Sequence, residues 1–300
     1  MNIDQLPSQE GRTIIVTGAN TGLGYETTIT LAKKGAKVIM ACRNLSKAKA
    51  AKDKIEEQVP EADLEVMEID LSNLRSIRKF AQEFQEKHDQ LAVLINNAGV
   101  MMTPYMETDE GFELQFVSNH LGHFLLTGLL LPNLLKAPKS RIVSLSSLIH
   151  KNGKIIFDDL QSKKKYSPQD AYGQSKLACL LFAFELQRRL EKAGISDTIS
   201  TAAHPGVADT ELSRHLPKLL NSVLKYTIGP LISHNAAEGA KPTILASVGK
   251  AKGGDYFGPT GFMEMKGKAG KASSSNSAHD EGLAKPLWEV SEELVDHKYL

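Results

Sequence analysis

A single doubly wound α/β domain, built on a mostly parallel sheet of about seven strands, is the fold class that this sequence predicts. Three observations carry it. Short apolar or β-branched runs alternate with longer stretches of helical periodicity through the first two thirds of the chain. The runs Ile14-Ile15-Val16 and Val93-Leu94-Ile95 are continuous rather than alternating, as parallel strands covered on both faces require. No Pro/Gly/Ser-rich linker divides the middle of the 300 residues, so one domain spanning 1–300 fits better than two.

In chain order, strands are expected at Thr13 to Thr17, Lys37 to Cys42, Leu64 to Ile69, Leu91 to Ile95, Arg141 to Leu145 and Thr198 to Ala203. Between them lie candidate helices at roughly 22–34, 46–58, 73–87, 111–135 and 171–193, which makes a βαβ series. Residues 11–210 form the core of this reading. Beyond Pro205 the pattern loosens into a mixed segment, 211–230. A helix from Asn235 to Val248, a late strand near Tyr256-Phe257 and a last helix from Leu283 to Leu294 follow. Residues 264–280, with the Gly-, Lys- and Ser-rich run at 267–277, have the composition of a loop or disordered segment.

Composition excludes several function classes. The chain is 41% hydrophobic and 24% charged, with 36 basic against 35 acidic residues and a net charge of +1, too balanced for a generic nucleic-acid binder. Lys163-Lys164-Lys165 reads as a solvated loop. Its two cysteines, Cys42 and Cys179, have neither metal-ligand nor disulfide-framework spacing, which makes a reducing compartment the default. Met1 to Gly11 is polar and lacks the apolar core of a secretory signal, so a cytoplasmic protein is expected. Phe124 to Leu135 is too short to span a membrane and contains Pro132; it reads as a buried helix, and no membrane anchor is expected.

Two motifs carry chemistry. Thr17-Gly18-Ala19-Asn20-Thr21-Gly22-Leu23-Gly24 follows the first strand and opens the first helix, where backbone N–H groups can hold a dinucleotide pyrophosphate. After the second strand the chain reads Ala41-Cys42-Arg43-Asn44. With no carboxylate there for a ribose 2′-hydroxyl, and with Arg43 able to bind a 2′-phosphate through two N–H groups, NADP(H) is favoured over NAD(H). In Tyr172-Gly-Gln-Ser-Lys176 a phenol and an ammonium four residues apart share one helix face, so the cation can favour the phenolate and the pair can move a proton. A solvated helix face is the ordinary alternative for such a pair. His120 and His123, without a neighbouring carboxylate, are assigned no metal.

Taken in order, Thr17-Gly-x-x-x-Gly-x-Gly24, Asn96-Asn97-Ala98-Gly99 and Tyr172-x-x-x-Lys176 make the chain resemble the short-chain dehydrogenase/reductase family, closely over about 11–210. Ala41-Cys-Arg-Asn44, Asn119-His-Leu-Gly-His-Phe124, Ser175-Lys-Leu-Ala178 and Leu287-Trp-Glu-Val-Ser291 are similar to its retinol-dehydrogenase-like branch. That branch also holds WW-domain-containing oxidoreductases and protochlorophyllide reductases. The resemblance implies a Rossmann-type fold and catalytic roles for Asn119, Ser147, Tyr172 and Lys176. Asn119 would provide a helix kink and a water-linked proton route, and Ser147, the second of two serines ending the fifth strand, would polarise the substrate carbonyl. It implies cofactor contacts from Gly18, Asn20, Thr21, Gly22, Leu23, Gly24, Arg43 and Asn44, and from Asp70 and Leu71 at the adenine. Asn97, Ala98 and Gly99 would support the cofactor, Tyr172 and Lys176 would touch it, and Pro205, Gly206, Val207 and Thr210 would meet the nicotinamide carboxamide and phosphate.

The implied function is NADP(H)-linked hydride transfer to or from a small-molecule carbonyl or alcohol. An NADPH-dependent C=C reductase and a non-enzymatic NADP-binding sensor are the alternatives. Leu212, Leu216, Leu219, Leu220 and Leu224 have the spacing of an apolar helical face, which favours a lipophilic substrate, with packing of that helix onto the sheet as the ordinary alternative. The extended Ile149 to Asp170 insertion is expected to shape the substrate rim. The helices at 111–135 and 171–193 pair between subunits in this family, so a homodimer or homotetramer is implied, with a monomer as runner-up.

Overall fold

The computed structural model describes residues 5–207 and 234–300. Among them are eight strands: β1 (Thr13–Thr17), β2 (Lys37–Cys42), β3 (Asp63–Glu68), β4 (Val93–Asn96), β5 (Ser140–Leu145), β6 (Thr198–Ala203), β7 (Tyr256–Pro259) and β8 (Ala269–Lys271). They form one sheet in the order β3-β2-β1-β4-β5-β6-β7-β8. All neighbours run parallel except β7 and β8. The chain winds outward from β1 to β3 and returns to lay β4 beside β1. This topological switch leaves a crevice at the carboxyl ends of β1 and β4, where open α/β sheets bind ligands.

The helices are α1 (Gly22–Ala32), α2 (Leu45–Gln58), α3 (Leu74–Lys87), α4 (Leu114–Phe116), α5 (Gly122–Lys136), α6 (Pro168–Lys192), α7 (Ala236–Val248) and α8 (Glu281–Val295), with a wide π turn, Val117–Leu121, joining α4 to α5. Several start where a short polar side chain takes up an orphan N–H: Asn44 accepts from Lys47, Asn73 from Ser76, Ser167 from Asp170 and Asn235 from Glu238. Strand residues alternate between two cores. Ile15, Ile39, Leu94 and Ile142 face the core shared with α3, α5, α6 and α8, whereas Ile14, Val38, Met40 and Val143 face the one shared with α1, α2 and α7.

The segment expected as a loop at 264–280 is corrected by this structure. It contains β8, paired antiparallel to β7 through Phe257↔Lys271, Gly258↔Gly270 and Pro259↔Ala269, and so brings the sheet to eight strands. A Gly/Lys sequence has no strand signature of its own; here the β7 edge supplies the hydrogen bonds, and lysine caps that edge.

Helix α8 lies across α5 and α6. Trp288, 2% exposed, stacks on Phe182 at 5.8 Å and meets Phe124 edge-on at 4.9 Å. The Arg189 guanidinium covers it 4.4 Å from the ring centre. Past α8, Tyr299 packs on Phe124, and its hydroxyl donates to the Phe124 carbonyl at 3.0 Å. Trp288→Ala is expected to cost about 3–5 kcal/mol through the lost ring and the cavity left behind. Urea denaturation checks this, and a cost under about 1 kcal/mol contradicts the packing described.

Candidate active site

The crevice is built on a single buried hydroxyl. Thr17, the last residue of β1, accepts the N–H groups of Asn97 and Ala98, each at 2.9 Å, while the Asn97 amide donates to the Thr17 carbonyl at 2.7 Å. The turns after β1 and β4 are thereby locked together. Gly18 then takes φ +67°, a left-handed conformation that glycine adopts without strain. At Gly24 a Cβ would run into the Gly18 carbonyl oxygen, so only glycine lets α1 start this close to the turn. Thr21 caps α1 without a side-chain hydrogen bond, which leaves first-turn N–H groups and the positive end of the helix dipole to the crevice.

A cavity of about 330 Å³ occupies the crevice. Gly18, Asn20, Thr21, Gly22, Leu23, Gly24, Arg43, Asn44, Asp70, Leu71, Asn97, Ala98 and Gly99 all line it, so the residues expected from four separate loops converge. Sequence reasoning missed Lys47, Ser118 and Met101 on the same wall. Lys47 was findable: it stands in the first turn of α2, four residues past Arg43, and its backbone N–H is held by the Asn44 cap. Arg43, with its side chain 64% exposed, spans the mouth 3.9 Å from Asp70. Asp70 is fixed by two bonds from Ser72, N–H at 2.9 Å and hydroxyl at 2.6 Å. The cavity therefore carries two cations at one end and helix N–H groups in the middle, a donor set that fits a phosphorylated dinucleotide.

The four polar residues expected to be catalytic, Asn119, Ser147, Tyr172 and Lys176, do not themselves line this cavity; Asn119 and Lys176 pack against Gly99, which does. The π turn closes with the Gly122 N–H on the Val117 carbonyl, one residue wider than an α turn, and this is the kink expected at Asn119. The Asn119 side chain clamps Val100 like a strand partner, accepting its N–H at 2.8 Å and donating to its carbonyl at 3.0 Å, and also reaches Ser175 Oγ at 2.9 Å. A Cβ on Gly99 would lie 2.8 Å from Asn119 Oδ1 and 3.5 Å from Lys176 Nζ, which shows how closely these groups meet. One turn apart on α6, Tyr172 and Lys176 are both nearly buried, with Nζ 5.9 Å from the phenol ring centre and donating to the Leu145 carbonyl at 3.0 Å. The two serines after β5 differ. Ser146 is tied to the Lys176 carbonyl at 2.8 Å, whereas the Ser147 oxygen accepts only a long bond of 3.5 Å from the Ile149 N–H. Its hydroxyl proton is left for another acceptor.

Two of the expected contact groups have protein partners in this structure. The Asn119 carbonyl accepts from His123 Nδ1 at 3.1 Å and from the Cys179 thiol at 3.2 Å. Pro205, Gly206 and Val207 do not line the cavity. Val207 donates its N–H to Met265 at 2.7 Å and accepts the His234 N–H at 3.0 Å, which leaves one lone pair of its carbonyl open. Thr210 and the leucines at 212, 216, 219, 220 and 224 lie outside the described residues.

The histidines are structural and neutral. The Asn119 carbonyl can only accept, so His123 Nδ1 carries the proton and bare Nε2 accepts the Thr17 hydroxyl at 2.9 Å. His120 sits against the Ser291 hydroxyl at 2.9 Å. Burial pushes His120 down to about 3; burial and then the nearby Lys176 charge push His123 down to about 4, against the opposing hydrogen bond to Asn119. No group of three metal-ligating side chains occurs among the described residues. Unfolded imidazoles titrate near 6.5, so below that pH the unfolded chain binds more protons than the native one. Stability from these two sites is flat above about pH 6.5 and declines as pH falls toward 3–4. Urea midpoints between pH 7.5 and 4.5 test the sign, with a His120→Phe variant expected to show a shallower decline; a steeper one contradicts it.

The short chain dehydrogenase family profile matches residues 12–219. Human retinol dehydrogenase 13 is 43% identical over 289 residues, covering 95% of this chain and 85% of that protein. Human retinol dehydrogenase 14 is 41% identical over 302 residues, covering 95% and 86%. Among solved structures, an uncharacterised protein from Mycobacterium paratuberculosis superposes with a TM-score of 0.83 at 40% identity, covering 100% of this chain and 99% of that one. RhlG of Pseudomonas aeruginosa, in an NADP active-site complex, shares the fold with a TM-score of 0.65 at 23% identity, covering 83% and 94%. The chain therefore belongs to the short-chain dehydrogenase/reductase family and to its retinol-dehydrogenase-like branch, which makes it an oxidoreductase.

Gly24→Ala is expected to weaken dinucleotide binding at least about tenfold, since α1 must move off the Gly18 carbonyl. Fluorescence titration with NADPH measures it, and unchanged affinity contradicts the packing argument.

Proposed function

We propose that this protein is an NADP(H)-dependent oxidoreductase acting on a lipophilic carbonyl/alcohol pair. The observation that carries this reading is a crevice with Arg43 and Lys47 at one end and Gly99 on its wall, against which Asn119 and Lys176 are packed, with the Tyr172 ring beside Lys176. The Gly18 to Gly24 turn would hold the pyrophosphate, and Arg43 with Lys47 the 2′-phosphate, two cations favouring NADP over NAD. The bound nicotinamide would supply or accept the hydride. Tyr172 gives its phenolic proton to the carbonyl oxygen in reduction, Lys176 favours the phenolate left behind, and Ser147 donates its free hydroxyl proton to the same oxygen. Asn119 acts through its side chain, holding Val100 and Ser175 at the crevice floor.

The lipophilic preference is supported by identity above 40% to retinol dehydrogenases and by exposed apolar side chains on the insertion and the turn beyond β7: Ile156, Phe157, Phe262 and Met263. Among the described residues no helix is long and apolar enough to cross a membrane, and the two cysteines are free, in keeping with a cytoplasmic setting. Since α8 covers α5 and α6, the helices that pair between subunits in the family, we favour the monomer at that face.

Tyr172→Phe is expected to lower turnover about 10²–10⁴-fold while NADPH still binds. The assay follows NADPH consumption with a panel of aldehydes, ketones and conjugated enones. Near-wild-type turnover in this variant contradicts the mechanism, and activity on enones alone would mark a C=C reductase. Arg43→Ala and Lys47→Ala should each weaken NADPH at least about tenfold and leave NADH unchanged; equal losses for both cofactors contradict the 2′-phosphate assignment.

A further inference from the structure

Behind Ser147 lies a buried polar group that the reaction above does not use. His150 is fully buried in the short 3₁₀ helix Leu148–Asn152 that begins immediately after Ser147. It grips the Ser147 carbonyl twice, through its backbone N–H at 3.0 Å and through ring Nδ1 at 2.7 Å. From the other side the Ser275 N–H, beyond β8, points at ring Nε2 at 3.2 Å. A carbonyl only accepts and a backbone N–H only donates, so the ring is held as one species, protonated at Nδ1 and bare at Nε2. The imidazole meets the Tyr256 ring of β7 edge-on at 5.8 Å, and Tyr256 packs on His204 at the end of β6, 5.2 Å away.

We propose that His150 is a positioning residue for Ser147: its Nδ1–H fixes the Ser147 peptide, and so the aim of the Ser147 hydroxyl, while Nε2 ties that peptide to the C-terminal segment at Ser275. Ser147 itself is extended, at φ −152° and ψ 159°, and its side chain has only the 3.5 Å bond to Ile149, so the peptide plane is what orients it. A second proton on the ring would set Nε2–H against the Ser275 N–H and break the tie. The groups facing the ring from every packed element are Lys151, Glu264, Tyr256 and His204. Lys151 and Glu264 pair at 3.0 Å, and Glu264 Oε2 lies 3.8 Å from His204. Burial, then Lys151, hold the His150 imidazole below its ordinary value, with the Ser147 carbonyl and Glu264 opposing. His204 is likewise pushed down, to about 4, chiefly by burial. The ring therefore stays neutral at neutral pH.

This rests on the assignment of Ser147 to the substrate oxygen, and the test separates the two. His150→Phe keeps the ring on Tyr256 but has no donor; His150→Asn offers an N–H near the place of Nδ1. Using the most active carbonyl of the panel, kcat is expected to fall about 10–100-fold in the Phe variant. NADPH affinity should stay within about threefold, and the Asn variant should recover most of the loss. A wild-type kcat in the Phe variant overturns the proposal, as does a loss that Asn does not rescue or that is matched by lost NADPH affinity. Ser147→Ala runs alongside. If it keeps turnover, or if the wild type consumes no NADPH with the panel, the reading of the site fails first. If it is inactive while His150→Phe is not, only the positioning role fails. Should the Phe variant not fold, the pH profile of kcat decides. The wild-type acid limb is expected below about pH 6.5, where the imidazole takes its second proton, and the limb should be gone in the Asn variant. An identical limb in both overturns the proposal.

Discussion

The crevice depends on the hydroxyl of Thr17. One oxygen, sealed from solvent at the end of the central strand, accepts two backbone N–H groups from the turn after β4 and gives its proton to His123 of α5. Three elements far apart in sequence meet at it. The rest of the site hangs on the two turns it joins, since Gly18 begins the phosphate side and Gly99 abuts the polar side. Inside a low-dielectric core, hydrogen bonds of this kind are strong when all are made and costly when one is missing, so the geometry is all-or-none rather than graded.

Burial does most of the remaining chemical work. His120, His123, His150 and His204 sit where a charge is poorly solvated, and each is held neutral, so they serve as rigid hydrogen-bonding rings rather than as acids. Lys176 keeps two contacts, the Leu145 carbonyl at 3.0 Å and the Tyr172 ring beside it. Neutral rings thus set positions, and the proton handling is what we propose for Lys176 and the Tyr172 phenol.

Much of this was legible in the residues. Strands β1, β2 and β6 have the limits expected of their apolar runs, because strands buried on both faces are written almost wholly in local hydrophobicity. The glycine turn and Tyr172/Lys176 were legible because their spacing is the geometry. Strand β8 was not, since its hydrogen bonds come from β7 and its own Gly/Lys sequence is silent. Lys47 was overlooked because a lysine in a helix reads as a solvated charge unless the cap at Asn44 is used to orient it. The engagement of Val207 with Met265, and of the Asn119 carbonyl with Cys179, are long-range pairings that no local pattern encodes.

Helix α8 has a consequence for the order in which the molecule can be made. Phe124 and Phe182 belong to segments that leave the ribosome long before Trp288 and Tyr299, the rings that cover them. Until residues 281–300 emerge, the growing chain carries its sheet with an open aromatic seam on one helical layer. Closure of that seam waits for α8, and until then the nascent protein presents the kind of surface that holdase chaperones bind.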